Sequence, residues 1–347
     1  MIRSLVRRGV RVGTQTLQYR VAPPLAWPFG FLRTNRQTVF QWPGAEPVLG
    51  KRLALFCHFD RAGMVRDQVL GYLRALVEAS ISIVFISNSG CLHAASIEAL
   101  KPLCAAILIR RNIGYDFGAW RDALERLALP RPDTEMILLI NDSVYGPLRP
   151  LREIFSKIDL KRANFWGLTE SWQTRYHLQS YFAAFGPEVV ASPAWARFWS
   201  TVRPVPSKHW VIRNYEIGLT QALLKAGFRC EAIWPYPGLI ANVDAALLTG
   251  ENAEEEDSGD PAVKVRRTHA RRIRKAAVRR TPLNPTNELW RQLLLAGFPF
   301  IKRELLRDNP GEVADVADWR VIVEQQLKAD VATIERDLQR SLRNRAP

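Results

Sequence analysis

Polar side chains follow an apolar run near the middle of this 347-residue chain. The run Met136–Ile140 leads directly into Asn141, Asp142 and Ser143. Side chains at the carboxyl ends of buried parallel strands face the cleft in which such sheets bind ligands. A carboxylate there can hold a divalent cation through hard oxygen ligands. Asp142 is therefore the first candidate for a functional site.

A second polar segment follows the apolar run Ala105–Ile109. It reads R-R-N-I-G-Y-D-F-G and begins at Arg110. Its glycines, Gly114 and Gly118, permit a tight turn and a close backbone approach where the next helix begins. Asp116 could cap that helix, which would be a purely structural role.

The second half of the chain offers two candidate acids, Glu170 and Glu216. Glu216 lies near the start of a predicted helix at 214–227, where a carboxylate would also interact favourably with the helix dipole. His177 either faces a ligand cleft or is a buried core histidine. Gln179 lies on the same side of the predicted strand as His177, which favours the cleft.

Regular alternation of strands and helices must position these residues. Apolar runs at 53–59, 83–86, 105–109 and 136–140 alternate with segments that have helical spacing of apolar residues. Continuous apolar strands alternating with amphipathic helices predict an α/β fold with a mostly parallel, covered sheet. Further along, the spacing predicts a strand at 229–234 and one long helix at 313–342.

Charge is distributed unevenly along the chain, whose net charge is +15. Residues 1–52 are basic, 251–260 are acidic without a basic residue, and 261–280 are basic without an acidic one. The nearly neutral body disfavours a nucleic-acid surface built into the fold. These shifts predict four regions: a basic, Pro- and aromatic-rich arm at 1–52, an α/β domain at 53–250, a charged linker at 251–280 and a helical region at 281–347.

Composition excludes several classes of protein. Hydrophobic residues make up 47% and charged residues 24% of the chain, which is globular composition. The four cysteines form no C-x-x-C pair, so a reducing compartment is expected. No apolar run approaches the ~18 residues of a membrane helix, and arginines interrupt the N-terminus, so no signal peptide is expected. The motifs of P-loop ATPases, dinucleotide enzymes, zincins and serine hydrolases are absent.

Several motifs resemble known families. R-N-I-G-Y-D-F-G-A-W-R-D-A-L (111–124) and I-L-L-I-N-D-S-V-Y-G-P (137–147) look like the nucleotide-sugar half of glycosyltransferases with the type A fold. Together with F-W-G-L-T-E-S, Y-H-L-Q-S-Y-F, N-Y-E-I-G-L-T-Q, N-P-T-N-E-L-W and G-F-P-F-I-K-R-E-L-L-R-D-N-P, they are similar to the rhamnan synthesis protein F family. The resemblance covers about residues 53–310.

The resemblance implies an inverting glycosyltransferase with a type A-like sheet and a helical C-terminal region. It would move a sugar such as rhamnose from a nucleotide-diphospho-sugar to a growing cell-surface polysaccharide. Glu216 would be the general base, with Glu170 as its rival, and His177 and Gln179 would contact the acceptor. Asp142 and Ser143 would hold Mg²⁺ or Mn²⁺. The residues expected around the donor are Ser87, Arg110, Arg111, Asn112, Asp116, Asn141 and Asp142.

Ser143 departs from the type A pattern, which usually has a second carboxylate at this position. Its neutral hydroxyl is a weaker ligand, so we expect low metal affinity or a diphosphate held partly by Arg110 and Arg111. The departure also keeps open a non-catalytic member of a polysaccharide assembly complex. An RNA-binding protein, suggested by the basic run at 264–280, is disfavoured because that run lacks aromatic stacking partners.

The charged ends leave two interpretations open. Residues 1–52 form either a loosely packed arm or a basic-aromatic patch on an anionic membrane surface. We expect a cytoplasmic protein, peripheral at the inner face of the plasma membrane, with a saccharide or lipid-linked saccharide as acceptor. The dense aromatic residues of 166–199 are expected to be mainly core, with stacking against sugar rings as the alternative.

Overall fold

The computed structural model describes residues 37–44, 46–243 and 260–343. Most of the predicted arm and the acidic part of the predicted linker therefore lie outside the described residues. The strands are β1 (Thr38–Trp42), β2 (Arg52–His58), β3 (Ser82–Ser87), β4 (Ala106–Arg110), β5 (Met136–Asn141), β6 (Val144–Tyr145), β7 (Phe165–Ser171), β8 (His177–Leu178), β9 (Phe182–Phe185), β10 (Cys230–Trp234) and β11 (Ile301–Lys302).

Helices alternate with these strands and dominate the C-terminal part of the described chain. The α-helices are α1 (Asp67–Glu78), α2 (Ala94–Leu100), α3 (Tyr115–Arg126), α4 (Leu151–Phe155), α5 (Pro187–Val190), α6 (Pro193–Thr201), α7 (Lys208–Val211), α8 (Ile217–Lys225), α9 (Tyr236–Ala241), α10 (Pro261–Arg279), α11 (Pro285–Glu288), α12 (Trp290–Leu295), α13 (Arg303–Arg307), α14 (Trp319–Ile322) and α15 (Ala332–Arg343). The described residues also contain two π-helical segments (Ile212–Glu216 and Val323–Leu327) and a 3₁₀ turn (Val316–Asp318).

The described residues divide into two compact units. The first unit comprises the described residues up to Met64, together with Ser82–Ile140 and Phe185–Phe228. The second unit comprises Val65–Ile81, Asn141–Ala184 and the described residues from Arg229 onwards. Each unit is built from separate stretches of chain. The four regions predicted from charge stay a prediction.

The first unit is organised around strands in the order β1-β4-β3-β2-β5. β3 pairs in parallel with both β2 and β4, while β1 runs antiparallel to β4 at the edge. All residues of β4 and β5 are buried, as the continuous apolar runs predicted. Strands β2 to β5 agree with the sequence prediction to within one or two residues. The edge strand β1 lies in the predicted arm and has no apolar run, since its side chains are largely half-buried or exposed.

Helix α3 shows how the sequence fixes its position on the sheet. Gly114 caps its N-terminus with a φ of 87°, and a Cβ atom there would lie 2.7 Å from the Cα atom of Pro204. The glycine is thus required by both its conformation and its contact. Trp120, which is fully buried, donates its indole N–H to the carbonyl of Leu55 in β2 at 2.9 Å. That bond fixes α3 against the middle of the sheet.

The second unit has its own strands and a large apolar core. β10 pairs in parallel with β7, β8 is antiparallel to β7, and β11 is antiparallel to β6. Its helices pack around one cluster of buried side chains: Tyr145, Leu148, Trp290, Leu294, Ile301, Leu305, Val313, Trp319, Ile322, Val323, Val331 and Ile334. The fold class predicted from the sequence, a mostly parallel sheet with flanking helices and a helical C-terminal region, is confirmed.

The predicted single helix at 313–342 is wrong. The chain forms shorter helical segments instead, interrupted at Lys328, whose φ of 51° leaves the right-handed helical region. Asp330 then accepts a hydrogen bond from the backbone N–H of Ala332, where α15 begins. The apolar stripe that prompted the prediction is nevertheless buried, at Val313 and Ile334 for example.

The basic half of the predicted linker is helical. Helix α10 begins after Asp260, whose carboxylate accepts a hydrogen bond from the N–H of Ala262 at 2.8 Å. His269, Ile273 and Ala276 are buried along one side of this helix. Helical spacing was obscured in the sequence because charged residues occupy most of the remaining positions.

Candidate functional site

Hydroxyl and imidazole groups join the carboxyl ends of β2 and β3 in the first unit. Ser87 is fully buried, and its hydroxyl lies 3.2 Å from Nδ1 of His58 and 2.9 Å from Oγ of Ser89. Ser89 in turn accepts a hydrogen bond from the N–H of Asp60 at 3.0 Å. The hydroxyl of Ser87 therefore connects the end of β3 to the end of β2 through His58. Its contact with the donor stays a prediction.

Arg110 is the centre of a buried polar network at the end of β4. Its guanidinium donates to Oδ1 of Asn88 at 2.6 Å, to Oδ2 of Asp122 at 2.8 Å and to the carbonyl of Ile113 at 3.0 Å. Asn88 also donates to the carbonyl of Tyr115 at 3.2 Å. Arg110 is fully buried, so these contacts fix the turn between β4 and α3.

The turn itself presents the other residues predicted to bind the donor. Arg111 and Asn112 are exposed, and Asp116 is half-buried in the first turn of α3. Gly114 rather than Asp116 occupies the capping position, so the capping role considered for Asp116 is not the one observed. Its carboxylate lies 3.7 Å from the sulfur of Cys57. These side chains could contact a ligand at the strand ends.

Glu216 lies within a continuous helical run rather than at its start. The run begins at Lys208, where Ser207 accepts a hydrogen bond from the N–H of Trp210, and passes through the π-helical segment that ends at Glu216. The predicted start at Asn214 was therefore too late, and the helix dipole gives no reason for an acid here. The Glu216 side chain is half-buried. π-helical turns often occur at functional sites.

The motif N-D-S lies in the second unit, next to two cationic residues: Lys302, the last residue of β11, and Arg303, which follows it. The Lys302 ammonium donates to the hydroxyl of Ser143 at 3.1 Å, and this hydroxyl donates to Oδ1 of Asn141 at 2.6 Å. The same ammonium lies 4.9 Å from the centre of the Tyr181 ring. Pairing of β6 with β11 positions Lys302, since it brings this residue opposite Val144.

Arg303 binds the carboxylate and backbone of Asp142. Its Nη1 atom lies 3.4 Å from Oδ2 and 3.1 Å from the carbonyl oxygen of Asp142. Its Nη2 atom donates to Asp337 at 3.0 Å, and Asp337 accepts a further hydrogen bond from the hydroxyl of Tyr145 at 2.9 Å. Burial raises the pKa of Tyr145 to about 12, so this hydroxyl stays protonated and can donate.

These contacts do not suit a divalent cation at Asp142 and Ser143. The carboxylate of Asp142 faces a guanidinium, and the oxygen of Ser143 already accepts from an ammonium. A metal ion bound to both oxygens would lie beside two positive charges, with one carboxylate and a neutral hydroxyl as ligands. Among the described residues, no group of three or more His, Cys, Asp or Glu side chains could hold a metal ion. The predicted metal site therefore has an unfavourable donor set.

Glu170 is buried and already has a structural partner. Its Oε1 atom accepts a hydrogen bond from the N–H of Tyr236 at 3.0 Å, at the first residue of α9. The contact stabilises the start of that helix in the way a capping side chain does. Tyr176, whose pKa burial raises well above its usual value, also interacts with Glu170 and Cys230.

His177 and Gln179 lie on either side of Leu178 and differ in how fully they are engaged. Nδ1 of His177 donates to the carbonyl of Arg175 at 2.8 Å, which leaves the lone pair of the neutral ring on Nε2. The Gln179 amide accepts from Thr169 at 2.7 Å and donates to Asn284 at 3.2 Å. His177 is buried and its Nδ1 atom is bonded to the backbone, whereas Gln179 joins β7 to the segment before α11. The predicted contact of His177 with an acceptor stays a prediction.

Lys302 and Arg303 are polar residues of this cluster that the sequence patterns did not identify as candidates. They end the segment G-F-P-F-I-K-R, which belongs to one of the motifs similar to the family. The sequence signal that could have identified them is a pair of adjacent cations directly after an apolar run. Their closeness to Asn141–Ser143 depends on two-residue strands, which have no recognisable periodicity.

The fold and strand-end clusters define an α/β protein in which polar residues follow β3, β4 and β5 along the chain. The model of the family described as rhamnan synthesis protein F matches residues 83–241. This match confirms the resemblance that the motifs indicated.

Individual relatives share less than 30% sequence identity with this chain. The chain is 28% identical over 284 residues to the virulence protein VirA of Vibrio anguillarum, covering 75% of this chain and 81% of VirA. It is 29% identical over 195 residues to the uncharacterized protein y4gN of Sinorhizobium fredii, covering 55% and 50% of the two chains. The crystal structure of S. aureus TarS 1–349 aligns with a TM-score of 0.30 and 9% identity, over 80% of this chain and 91% of that one. Within the described part of the chain, no helix is both long and apolar enough to cross a membrane.

Proposed function

We propose that this protein is an inverting glycosyltransferase that uses a nucleotide-diphospho-sugar to extend a cell-surface polysaccharide, with rhamnose as the first sugar to test. The observation that carries the proposal is the match of the rhamnan synthesis protein F family to residues 83–241. That span contains the polar ends of β4 and β5 and both candidate acids. Parallel sheets bind their ligands at these strand ends.

The contacts of each side chain suggest its role in the proposal. Arg111, Asn112 and Asp116 lie on an accessible turn and would contact the donor. Arg110 is fully occupied by protein partners, so it would hold that turn rather than touch the donor. His177 is buried, so a contact of its Nε2 atom with an acceptor hydroxyl would require the acceptor to reach into the second unit.

Glu216 is the better candidate for the general base. Inverting transfer is a single displacement, so the attacking hydroxyl must lose its proton as the new bond forms. Glu170 is buried and already accepts a backbone N–H, whereas Glu216 is half-buried and lies in a π-helical turn. A carboxylate that serves as base must be able to reach the substrate, which favours Glu216.

Incubation with a panel of nucleotide-sugars tests the proposed function. The purified full chain would be mixed separately with dTDP-, UDP- and GDP-linked sugars, and thermal stability and released nucleoside diphosphate would be measured. We expect one donor to raise the melting temperature, because selective binding stabilises the native state, and to be consumed slowly by water or by a saccharide acceptor. Stabilisation without consumption under any condition would favour a non-catalytic assembly protein. No response to any donor would contradict the proposal.

Helix α10 provides a surface for an anionic membrane, where a lipid-linked acceptor would be found. Lys264, Arg271, Lys275 and Arg279 are exposed and recur at helical spacing. Cationic side chains near an anionic bilayer each contribute roughly 1 kcal/mol of attraction. The proposal that the protein is peripheral at the cytoplasmic face of the membrane rests on this charged face.

A further inference from the structure

We infer that Lys302, rather than a divalent cation, supplies the positive charge that binds the donor's diphosphate. The inference rests on the proposed function and identifies how its donor is held. It starts from the disagreement between the predicted metal ligands and their observed surroundings. Asp142 and Ser143 face Arg303 and Lys302, where a metal ion would have to lie.

The ammonium of Lys302 is held in a defined position. It donates to the Ser143 hydroxyl at 3.1 Å and lies 4.9 Å from the centre of the Tyr181 ring. Tyr181 is itself fixed, because its hydroxyl lies 2.6 Å from Oγ of Thr169. Ser143 donates its own proton to Asn141, so its oxygen is oriented to accept from Lys302. A lysine held in this way is preorganised as a point charge for phosphate.

Guanidinium groups pair with the carboxylates of this cluster. Arg303 bridges Asp142 and Asp337, and Arg66 lies 3.5 Å from the second oxygen of Asp337. Arg303 thereby neutralises the carboxylate that would otherwise repel a diphosphate.

The position of Lys302 also allows a ligand to reach it. Lys302, Asp142 and Ser143 are all half-buried, so the cluster is in contact with solvent. Partial burial strengthens the attraction between an ammonium and a phosphate, because screening by water and salt is weaker there. The cluster lies directly after β5, at the carboxyl end of a buried strand, where a diphosphate is expected.

Binding of nucleoside diphosphates with and without metal tests the inference. Titration calorimetry would measure dTDP, UDP and GDP binding to the full chain in EDTA and in Mg²⁺ or Mn²⁺. We expect one of them to bind about equally well in both buffers. K302A should weaken that binding about 10- to 100-fold, as for the loss of a hydrogen bond to a charged group, and K302R should retain most of it. K161A, which removes an exposed lysine of the same unit, is the matched control.

The variant Ser143→Asp distinguishes most sharply between Lys302 and a metal ion as the positive charge that holds the diphosphate. A carboxylate at this position would pair with Lys302 and weaken nucleoside diphosphate binding in EDTA. If a metal ion held the diphosphate, the same change would add a ligand and tighten binding in Mn²⁺. Melting curves without ligand would verify that each variant is folded.

Two results would overturn the inference. Binding that is abolished by EDTA, together with unchanged binding by K302A, would show that a metal ion carries the charge, while the proposed glycosyltransferase function would stand. Failure of the wild-type protein to bind any nucleoside diphosphate or nucleotide-sugar in either buffer would overturn both the inference and the proposed function.

Discussion

The Nη1 atom of Arg110 lies 2.6 Å from Oδ1 of Asn88, and both side chains are buried. The same guanidinium pairs with Asp122 at 2.8 Å. Burial raises the pKa of Asp122, and the charge of Arg110 opposes that rise. This buried pair joins the ends of β3 and β4 to helix α3, so it determines the shape of the turn predicted to contact the donor.

Replacement of Arg110 by Met should therefore destabilise the protein. The change leaves the carboxylate of Asp122, whose side chain is 14% exposed, without the cation that pairs with it. Breaking a buried ion pair typically costs about 3–5 kcal/mol of the free energy of unfolding, and we expect the lower end of that range here. Urea denaturation would measure the loss. Arg111→Met is the matched control, because that side chain is exposed and its loss should cost less than about 0.5 kcal/mol. Unchanged stability of Arg110→Met, combined with lost donor binding, would instead make Arg110 a donor ligand.

Gly146 should tolerate no side chain. Its φ is 128°, and a Cβ atom there would lie 2.4 Å from the carbonyl oxygen of Pro299. Gly146→Ala should lower the free energy of unfolding by roughly 1–3 kcal/mol through strain and overpacking. Gly71→Ala should instead be neutral or stabilising, because Gly71 is an exposed residue of α1 with open space around its Cα. Thermal unfolding of Gly146→Ala and Gly71→Ala tests this prediction. Equal changes in melting temperature would contradict the predicted clash at Gly146.

Glu288 should make the anchoring of helix α10 dependent on pH. Burial would raise the pKa of Glu288, but a hydrogen bond from His269 and the charge of Arg272 lower it overall. A folded-state pKa below the ordinary value of 4.5 means that this carboxylate stabilises the fold above that pH. The stabilisation is lost as the pH falls through the folded-state pKa.

Unfolding curves of wild type and Glu288→Gln across this pH range would measure the contribution. The variant should be less stable at neutral pH by roughly 1.5–3 kcal/mol, the usual range for hydrogen bonds to a charged group. The difference should shrink on acidification. Glu153→Gln, at an exposed position of the same unit, should show little difference at any pH. If the difference in the free energy of unfolding between wild type and Glu288→Gln stays constant down to pH values well below 4.5, the lowered pKa of Glu288 is refuted.

Reversal of charge on helix α10 should weaken membrane binding. Lys264→Glu, Arg271→Glu and Lys275→Glu combined should release the protein from vesicles of phosphatidylcholine and phosphatidylglycerol, as should raised salt. Co-sedimentation would measure the bound fraction, with vesicles of phosphatidylcholine alone as the reference.

A matched triple variant tests whether position matters. Arg197, Arg213 and Lys225 are exposed elsewhere in the chain, and their replacement by Glu changes the net charge equally. This variant should keep most of the vesicle binding. Equal loss in both triple variants would indicate attraction by net charge alone, and salt-independent binding would point to another attachment, such as the region around Trp27. Binding to RNA that depends on α10 would favour the RNA-binding alternative.

Sequence patterns predicted the buried strands well and the surface connections poorly. β2 to β5 are continuous apolar runs because both faces of a parallel sheet are covered, so each run identifies its own strand. The dense aromatic residues of 166–199 are mostly core, as expected, although Trp172 is 48% exposed. β1 was missed because an edge strand needs no apolar run, and the break at Lys328 has no sequence signal.

The candidate site was less predictable than the fold. Asn141–Ser143 lie at the end of β5, where the apolar run placed them, and their roles toward donor and metal stay predictions. Lys302 lies 159 positions from Ser143 along the chain, and no local pattern connects the two residues. Buried residues such as Arg110 and Glu170 could be recognised as polar groups near strand ends. Their present partners depend on packing that only the folded chain defines.

The rate of sugar transfer by Glu216→Gln tests the central claim most directly. The change keeps the shape of the side chain and removes its basicity, so donor binding should survive while turnover falls by roughly 10²–10⁴-fold. Glu170→Gln is the matched comparison, and it should keep near-normal turnover and mainly lose stability at the start of α9. If Glu216→Gln transfers sugar at the wild-type rate while Glu170→Gln does not, the base is Glu170. If neither variant transfers sugar more slowly than the wild-type protein does, neither Glu216 nor Glu170 is the general base, and the central claim is contradicted.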